Sequence, residues 1–104
     1  MTPKISNDDQ EYCQPSSYTH WINDLLQPKI NPKLPVVIDL FAGCGGLSLG
    51  FEAQGFPTIG FENNSDAAST YSLNLQGDCH CLTLKETTPL PQAQILIGGP
   101  PCQP

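Results

Sequence analysis

Arginine is absent from this 104-residue chain, and its four basic residues, all lysine, face ten acids for a formal net charge of −6. Proteins that grip nucleic acid do so by neutralising phosphates with Lys and Arg. This composition excludes such a grip by these residues alone, so any DNA-binding surface must lie on other sequence or on a partner. No apolar run approaches the ~18 residues of a membrane span, and no long apolar run marks a secretory leader at the N-terminus. No C-x-x-C pair occurs among Cys13, Cys44, Cys79, Cys81 and Cys102. Odd in number and irregular in spacing, these cysteines read as free thiols of a reducing compartment, a bacterial cytoplasm or nucleoid. Cys79-His80-Cys81 fits no common zinc spacing, so no metal is expected. Internal repeats and low-complexity tracts are missing too.

What is present is a short α/β pattern, one small domain at most. Residues 1–34 read as a polar N-terminal extension: an acidic, disordered start, a short helix capped by Ser17 with Trp21, Ile22, Leu25 and Leu26 as its stripe, and a linker punctuated by Pro28, Pro32 and Pro35. Regular alternation occupies residues 35–104. Val36 to Leu40 is a strand apolar on both faces except at Asp39. A glycine loop leads into a helix over 47–54, with Leu47 and Phe51 four apart and Gly55 as its left-handed C-terminal residue. Pro57 to Phe61 is a second strand ending in Glu62. A second helix is capped by Ser65 and carries Asp66 in its first turn; Ala68, Tyr71 and Leu75 mark its buried side. Gln76-Gly77-Asp78 is a turn before a weak strand at 79–82, 87–91 is loop, and Ile95 to Ile97 is a fourth strand. This order predicts a doubly wound parallel sheet.

Two segments carry chemistry. Gly43, Gly45 and Gly46 remove side chains where the chain turns from strand to helix, so backbone N–H groups can approach a ligand. The spacing G-x-G-G is not the dinucleotide fingerprint G-x-G-x-x-G. Glu62, at the end of strand two, can accept from two ribose hydroxyls, and Asp78, after the next turn, from an adenine amino group. The alternative is a plain tight turn with two solvated acids. The second segment is Gly98-Gly99-Pro100-Pro101-Cys102-Gln103-Pro104. Free cysteines are commonly buried and inert, but a thiol on a Pro-rich turn at the carboxyl edge of a sheet is placed to act as a nucleophile.

Asp39-Leu40-Phe41-Ala42-Gly43-Cys44-Gly45-Gly46, the Glu62 strand end, Gly77-Asp78 and Gly98-Gly99-Pro100-Pro101-Cys102-Gln103 together resemble the DNA (cytosine-5) methyltransferases, over residues 36 to 104. The resemblance implies the N-terminal half of a Rossmann-like sheet with strand order close to 3-2-1-4-5-7-6 and S-adenosylmethionine as cofactor. It implies cofactor contacts from Phe41, Ala42, Gly43, Gly46, Glu62, Asn63, Asp78 and Cys79, with Pro101 shaping the turn that presents Cys102. Cys102 is then the nucleophile that adds to C6 of a cytosine flipped out of double-stranded DNA. Cys44, at the variable position of the loop, receives no chemistry.

The same resemblance places the rest of the machinery outside these residues: a Glu-Asn-Val segment, an Arg-rich segment, a target-recognition region and a C-terminal segment. The expectation is a catalytic domain cut just after its cysteine, as a fragment or as one half of a split enzyme with a second polypeptide. Such a piece is expected to be poorly stable and inactive alone. A restriction-modification methyltransferase leads. A tRNA methyltransferase of the same family, a non-catalytic remnant and a nicotinamide-dependent oxidoreductase half are the alternatives.

Overall fold

Val37–Leu40 (β1) pairs on one side with Thr58–Glu62 (β2) and on the other with Ile95–Gly98 (β4), and Cys79–Cys81 (β3) extends the sheet beyond β2. In the computed structural model, which describes residues 17–100, the sheet order is β3-β2-β1-β4 and every pairing is parallel. That is the α/β architecture predicted, with the first four strands in the expected order. Parallel neighbours need crossovers, and two are helices: Gly46–Ala53 (α2) between β1 and β2, and Ser65–Asn74 (α3) between β2 and β3. Both successive steps run in one direction along the sheet, so right-handed crossovers put both helices on the same face. Asp39 pairs with Gly60 and Val37 with Thr58, and this set of positions faces the helices.

The core sits where α3 crosses that face. Ala42, Tyr71 and Leu75 form its cluster, with Leu49 and Cys79 against it. Tyr71 is fully buried. Two glycines make the space for its ring. A Cβ at Gly60 would stand 2.9 Å from Tyr71 Cε2, and one at Gly45, where φ is +97°, would stand 2.8 Å from Cδ2. Gly60→Ala is therefore expected to cost about 1–3 kcal/mol by overpacking. A chemical denaturation midpoint equal to that of the unmodified protein would refute it.

Several local readings change. Ser17 is the first residue of the N-terminal helix (α1, Ser17–Leu25), not the residue before it, and Trp21, Leu25 and Leu26 on its stripe are exposed. Asn64, not Ser65, caps α3: its side chain accepts from Ala67 N–H at 2.9 Å. Leu47 lies outward on α2, whose buried residues are Ser48, Glu52 and Ala53. The proline-punctuated segment after α1 is strapped down. Lys29 N–H donates to Glu52 O, Asn31 N–H to Gly55 O, and Ile30 N–H to the side chain of Gln76. Gly55 does take the left-handed conformation predicted, at φ +99°. The expected disorder of the first residues falls outside the described ones. Among the described residues, no helix is long and apolar enough to cross a membrane.

Candidate functional site

Ligands of parallel α/β sheets bind outside the carboxyl ends of the strands. Here that edge is formed by Leu40, Glu62, Cys81 and Gly98, the last residues of β1, β2, β3 and β4. Leu40 and Gly98 are register partners, so the chains leaving β1 and β4 emerge side by side.

Phe41 is the first residue past β1 and holds φ +56°, a left-handed backbone that a bulky residue rarely adopts. Such outliers cluster at ligand clamps, where surrounding contacts hold them. The ring is 44% exposed, and with Glu62, Asn63 and Gly99 it lines a cavity of about 270 Å³ at the carboxyl edge. A neighbouring hollow is lined by Phe41, Phe61, Glu62, Asn63, Leu82, Thr83 and Leu84. Ala42, next in the loop, turns into the core.

Glu62 joins the loop to the strand end. Gly43 N–H donates to its Oε1 at 2.9 Å, and Asn64 N–H to its Oε2 at 2.9 Å. Each carboxylate oxygen has a second acceptor site, so the group is oriented by protein while two further donors can still be received. Gly46 opens α2, and its cap, Gly45, supplies no side-chain bond to the first turn. A Cβ at Gly43 or Gly46 would meet nothing within 4 Å. These positions border open space against which a ligand can lie close to backbone.

Asp78 and Cys79 lie where the turn after α3 enters β3. Cys79 opens β3 in register with Gly60, two residues short of the Glu62–Cys81 pair at the carboxyl edge, and Asp78 precedes it. Asp78 O accepts from Gly60 N–H at 2.9 Å, which fixes its backbone there. Cys79 packs against the core cluster. Burial first, then the nearby Glu62, Asp39 and Cys81, push its thiol up to about 11, so it is a protonated packing group. The residues that β3 delivers to the carboxyl edge are Cys81 and those after it. Leu82 N–H donates to Glu62 O at 3.0 Å and so brings Leu82 alongside the site. Pro101 and Cys102 lie outside the described residues. A cleft of about 450 Å³ runs between α1 and the outer side of the glycine loop past Cys44 and Leu49, and none of the expected acids lines it.

Beneath the loop lies a buried polar chain that sequence reasoning missed. Ser48 Oγ is 2.6 Å from Asp39 Oδ2 and 2.9 Å from the Tyr71 hydroxyl. The Tyr71 hydroxyl is 2.6 Å from Thr58 Oγ1, which is 2.5 Å from Glu52 Oε2. Glu52 also accepts the N–H groups of Gln76 and Gly77 at 2.8 and 2.9 Å. Asp39, Ser48, Glu52 and Thr58 are each no more than 3% exposed. The available signal was helical spacing: Ser48 and Glu52, four apart, share a face of α2.

The comparisons with known proteins agree with this picture. The sequence model of the family described as C-5 cytosine-specific DNA methylase matches residues 36–104. Type II methyltransferase M.AplI of Arthrospira platensis is 60% identical over 92 residues, covering 85% of this chain and 26% of that protein. M.HgiGI of Herpetosiphon aurantiacus is 42% identical over 64% of this chain and 58% of its own length. M.HindV of Haemophilus influenzae is 40% identical over 64% of this chain and 24% of its own length. Both carry the same type II methyltransferase designation, and the chain spans less than two thirds of each of the three. No solved structure matches. With a family match reaching from the first strand past the fourth, over a sheet whose order the motifs had predicted, the chain belongs to the C-5 cytosine-specific DNA methylases.

Proposed function

We propose that this chain supplies the cofactor-binding wall and the nucleophile of an enzyme that methylates C5 of cytosine in double-stranded DNA, within a restriction-modification system. The observation that carries the cofactor half is Glu62. Its carboxylate is held by Gly43 N–H at the strand end and borders the same cavity as Phe41. The donor set suits S-adenosylmethionine. Two open acceptor sites on Glu62 match a pair of ribose hydroxyls. The Phe41 ring offers an apolar face, and the open space at Gly43 and Gly46 admits a chain against backbone. For the adenine, Asp78 and Cys79 are the contacts the family resemblance gives, and Leu82, Thr83 and Leu84 border the same side, in a hollow shared with Glu62 and Asn63. When bound, the cofactor supplies an electrophilic methyl on a sulfonium.

Cys102 follows Gly98 by four residues, so covalent geometry keeps it within about 14 Å of the end of β4. Gly98 stands beside Leu40, next to the glycine loop. Addition of the thiolate to C6 of the target cytosine breaks ring aromaticity and leaves electron density at C5, which takes the methyl. Loss of the C5 proton and expulsion of the thiolate restore the ring. The base must be flipped from the duplex to reach the thiol. The acidic composition leaves the DNA grip to residues elsewhere in the assembly.

Glu62→Ala is expected to weaken S-adenosylmethionine binding roughly 10–100-fold, the equivalent of losing hydrogen bonds to a charged acceptor. Calorimetric titration of the complete methyltransferase with S-adenosylmethionine and NAD, side by side, checks this. Unchanged affinity in the variant, or preference for NAD, would sink the cofactor reading.

A further inference from the structure

The buried chain under the glycine loop does not balance in hydrogens. It contains four O···O separations of 2.5–2.9 Å: Asp39 to Ser48, Ser48 to Tyr71, Tyr71 to Thr58, and Thr58 to Glu52. All lie in the hydrogen-bond range for hydroxyl donors. Each link needs one hydrogen between its oxygens; without one, lone pairs face each other at contact distance. Three hydroxyls, Ser48, Tyr71 and Thr58, supply three hydrogens. If Ser48 donates to Asp39 and Thr58 to Glu52, the single Tyr71 hydrogen must serve two links at once. Turning Ser48 or Thr58 toward a backbone carbonyl removes a hydrogen and widens the deficit. The separations identify the links, whereas the direction of each is free to be assigned.

We propose that this chain stores one additional proton, held on Asp39, and that it runs as a single directed wire from Asp39 through Ser48, Tyr71 and Thr58 to Glu52. Asp39 Oδ2–H then donates to Ser48, Ser48 to Tyr71, Tyr71 to Thr58 and Thr58 to Glu52. The proton belongs on Asp39 rather than Glu52 because of what already meets each carboxyl. Both Glu52 oxygens accept a backbone N–H, from Gln76 and Gly77, so each already receives a hydrogen besides any from the wire. No backbone donor of this kind meets Asp39 among the described residues. Burial raises its pKa above the ordinary 3.8 and outweighs the opposing effect of Ser48. Burial likewise pushes the Tyr71 phenol up to about 12, so its hydrogen is retained through the neutral range.

The neighbours agree in sign. The titratable groups that meet Asp39 are Tyr71 from α3 and Cys79 from β3, both acidic; Glu52 of α2 acts on the same Tyr71 and Glu62 of β2 on the same Cys79. β4, the other strand beside β1, contributes none over Ile95–Gly98. A negative charge on Asp39 would be added to a set already acidic. The linkage sign follows. A carboxyl whose folded pKa is raised contributes stability that is complete below its unfolded pKa. That contribution is lost as pH rises through the folded value.

The consequence for the site, which rests on the cofactor reading above, is that Tyr71 is a positioning residue. The wire clamps the first turns of α2, and with them the glycine loop, to β1. Ionising Asp39 leaves one of the four links without a hydrogen.

Carboxyl ¹³C spectra of the complete methyltransferase, labelled at aspartate and glutamate and titrated with pH, test this directly. Asp39→Asn assigns the Asp39 signal by its disappearance. The expected result is an Asp39 carboxyl in its protonated form at pH 7, a reading that needs no cofactor. Tyr71→Phe leaves two links and two hydroxyls, so the extra proton is no longer required. Asp39 should then ionise at a pH lower by about one unit or more. Burial alone predicts no such fall. An ionised Asp39 at pH 7, a proton found on Glu52 instead, or a titration unmoved in Tyr71→Phe would overturn the proposal. S-adenosylmethionine affinity measured over the same range should fall as Asp39 ionises and be flat there in Tyr71→Phe. If affinity is flat in both while the Asp39 signal behaves as expected, the wire stands and its link to the cofactor does not.

Discussion

Cys102→Ser is expected to lower methyl transfer by roughly 10³-fold or more, the scale of removing a covalent nucleophile, while cofactor affinity stays within about twofold of the unmodified enzyme. The two halves of this expectation have different physical sources. Cysteine is intrinsically nucleophilic and partly ionised near neutral pH, whereas a serine hydroxyl has no appreciable anion there. Cytosine C5 becomes nucleophilic only after C6 has been attacked, so loss of the attack removes the reaction rather than slowing one of its steps. The proposed cofactor wall uses other residues: Phe41 and Glu62 stand at the ends of β1 and β2, and Glu62 is anchored by Gly43 and Asn64. Duplex DNA carrying 5-fluorocytosine at the target separates the possibilities, because fluorine at C5 cannot depart as a proton does and the adduct is trapped. The unmodified enzyme should yield a covalent complex stable to denaturant, and Cys102→Ser none. Residual turnover above about one per cent of the original, or a trapped adduct in the serine variant, would move the nucleophile elsewhere.

How far the sequence reveals this molecule depends on which interaction decides each feature. Strand positions were legible because β1, β2 and β4 are short apolar runs bounded by glycine or proline, and the topology followed from the alternation. Gly55 was legible because a helix end that needs a left-handed residue has few ways to be written. The inward face of α2 was not. An apolar count favours Leu47 and Phe51, yet the helix turns Ser48 and Glu52 to the sheet because hydroxyl and carboxyl partners await them on β1, β2 and α3. No periodicity of apolar residues reports a polar interior. The strand after Gln76-Gly77-Asp78 is only three residues long, Cys79–Cys81, so the chain reaches the carboxyl edge directly after it. Applied to β3, the carboxyl-edge rule points to Leu82, Thr83 and Leu84, which do border the cavity.

The largest loss of stability is expected at Glu52, a charged residue that composition-based reading would assign to solvent and that the fold buries completely. Glu52→Ala strands three donors at once: the Thr58 hydroxyl and the N–H groups of Gln76 and Gly77. Each buried donor left without an acceptor costs about 1–3 kcal/mol, and the side chain leaves a void besides. Together these predict a loss of about 3–5 kcal/mol, the scale of removing one partner from a buried ionic arrangement. Glu52→Gln keeps the shape and one acceptor oxygen but turns an NH₂ toward a neighbouring donor, so an intermediate loss of about 1–2 kcal/mol is expected. Urea denaturation of the complete protein should rank the two in that order with similar slopes, since the surface exposed on unfolding hardly changes. Equal losses would mean that bulk, rather than acceptance of these hydrogens, is what Glu52 provides. The milder variant also reaches the site. Gln76 and Gly77 set where β3 begins, and β3 delivers Leu82 to the side of Glu62. Loosening the turn at one edge of the sheet should therefore weaken cofactor binding at the other, in a protein that remains folded.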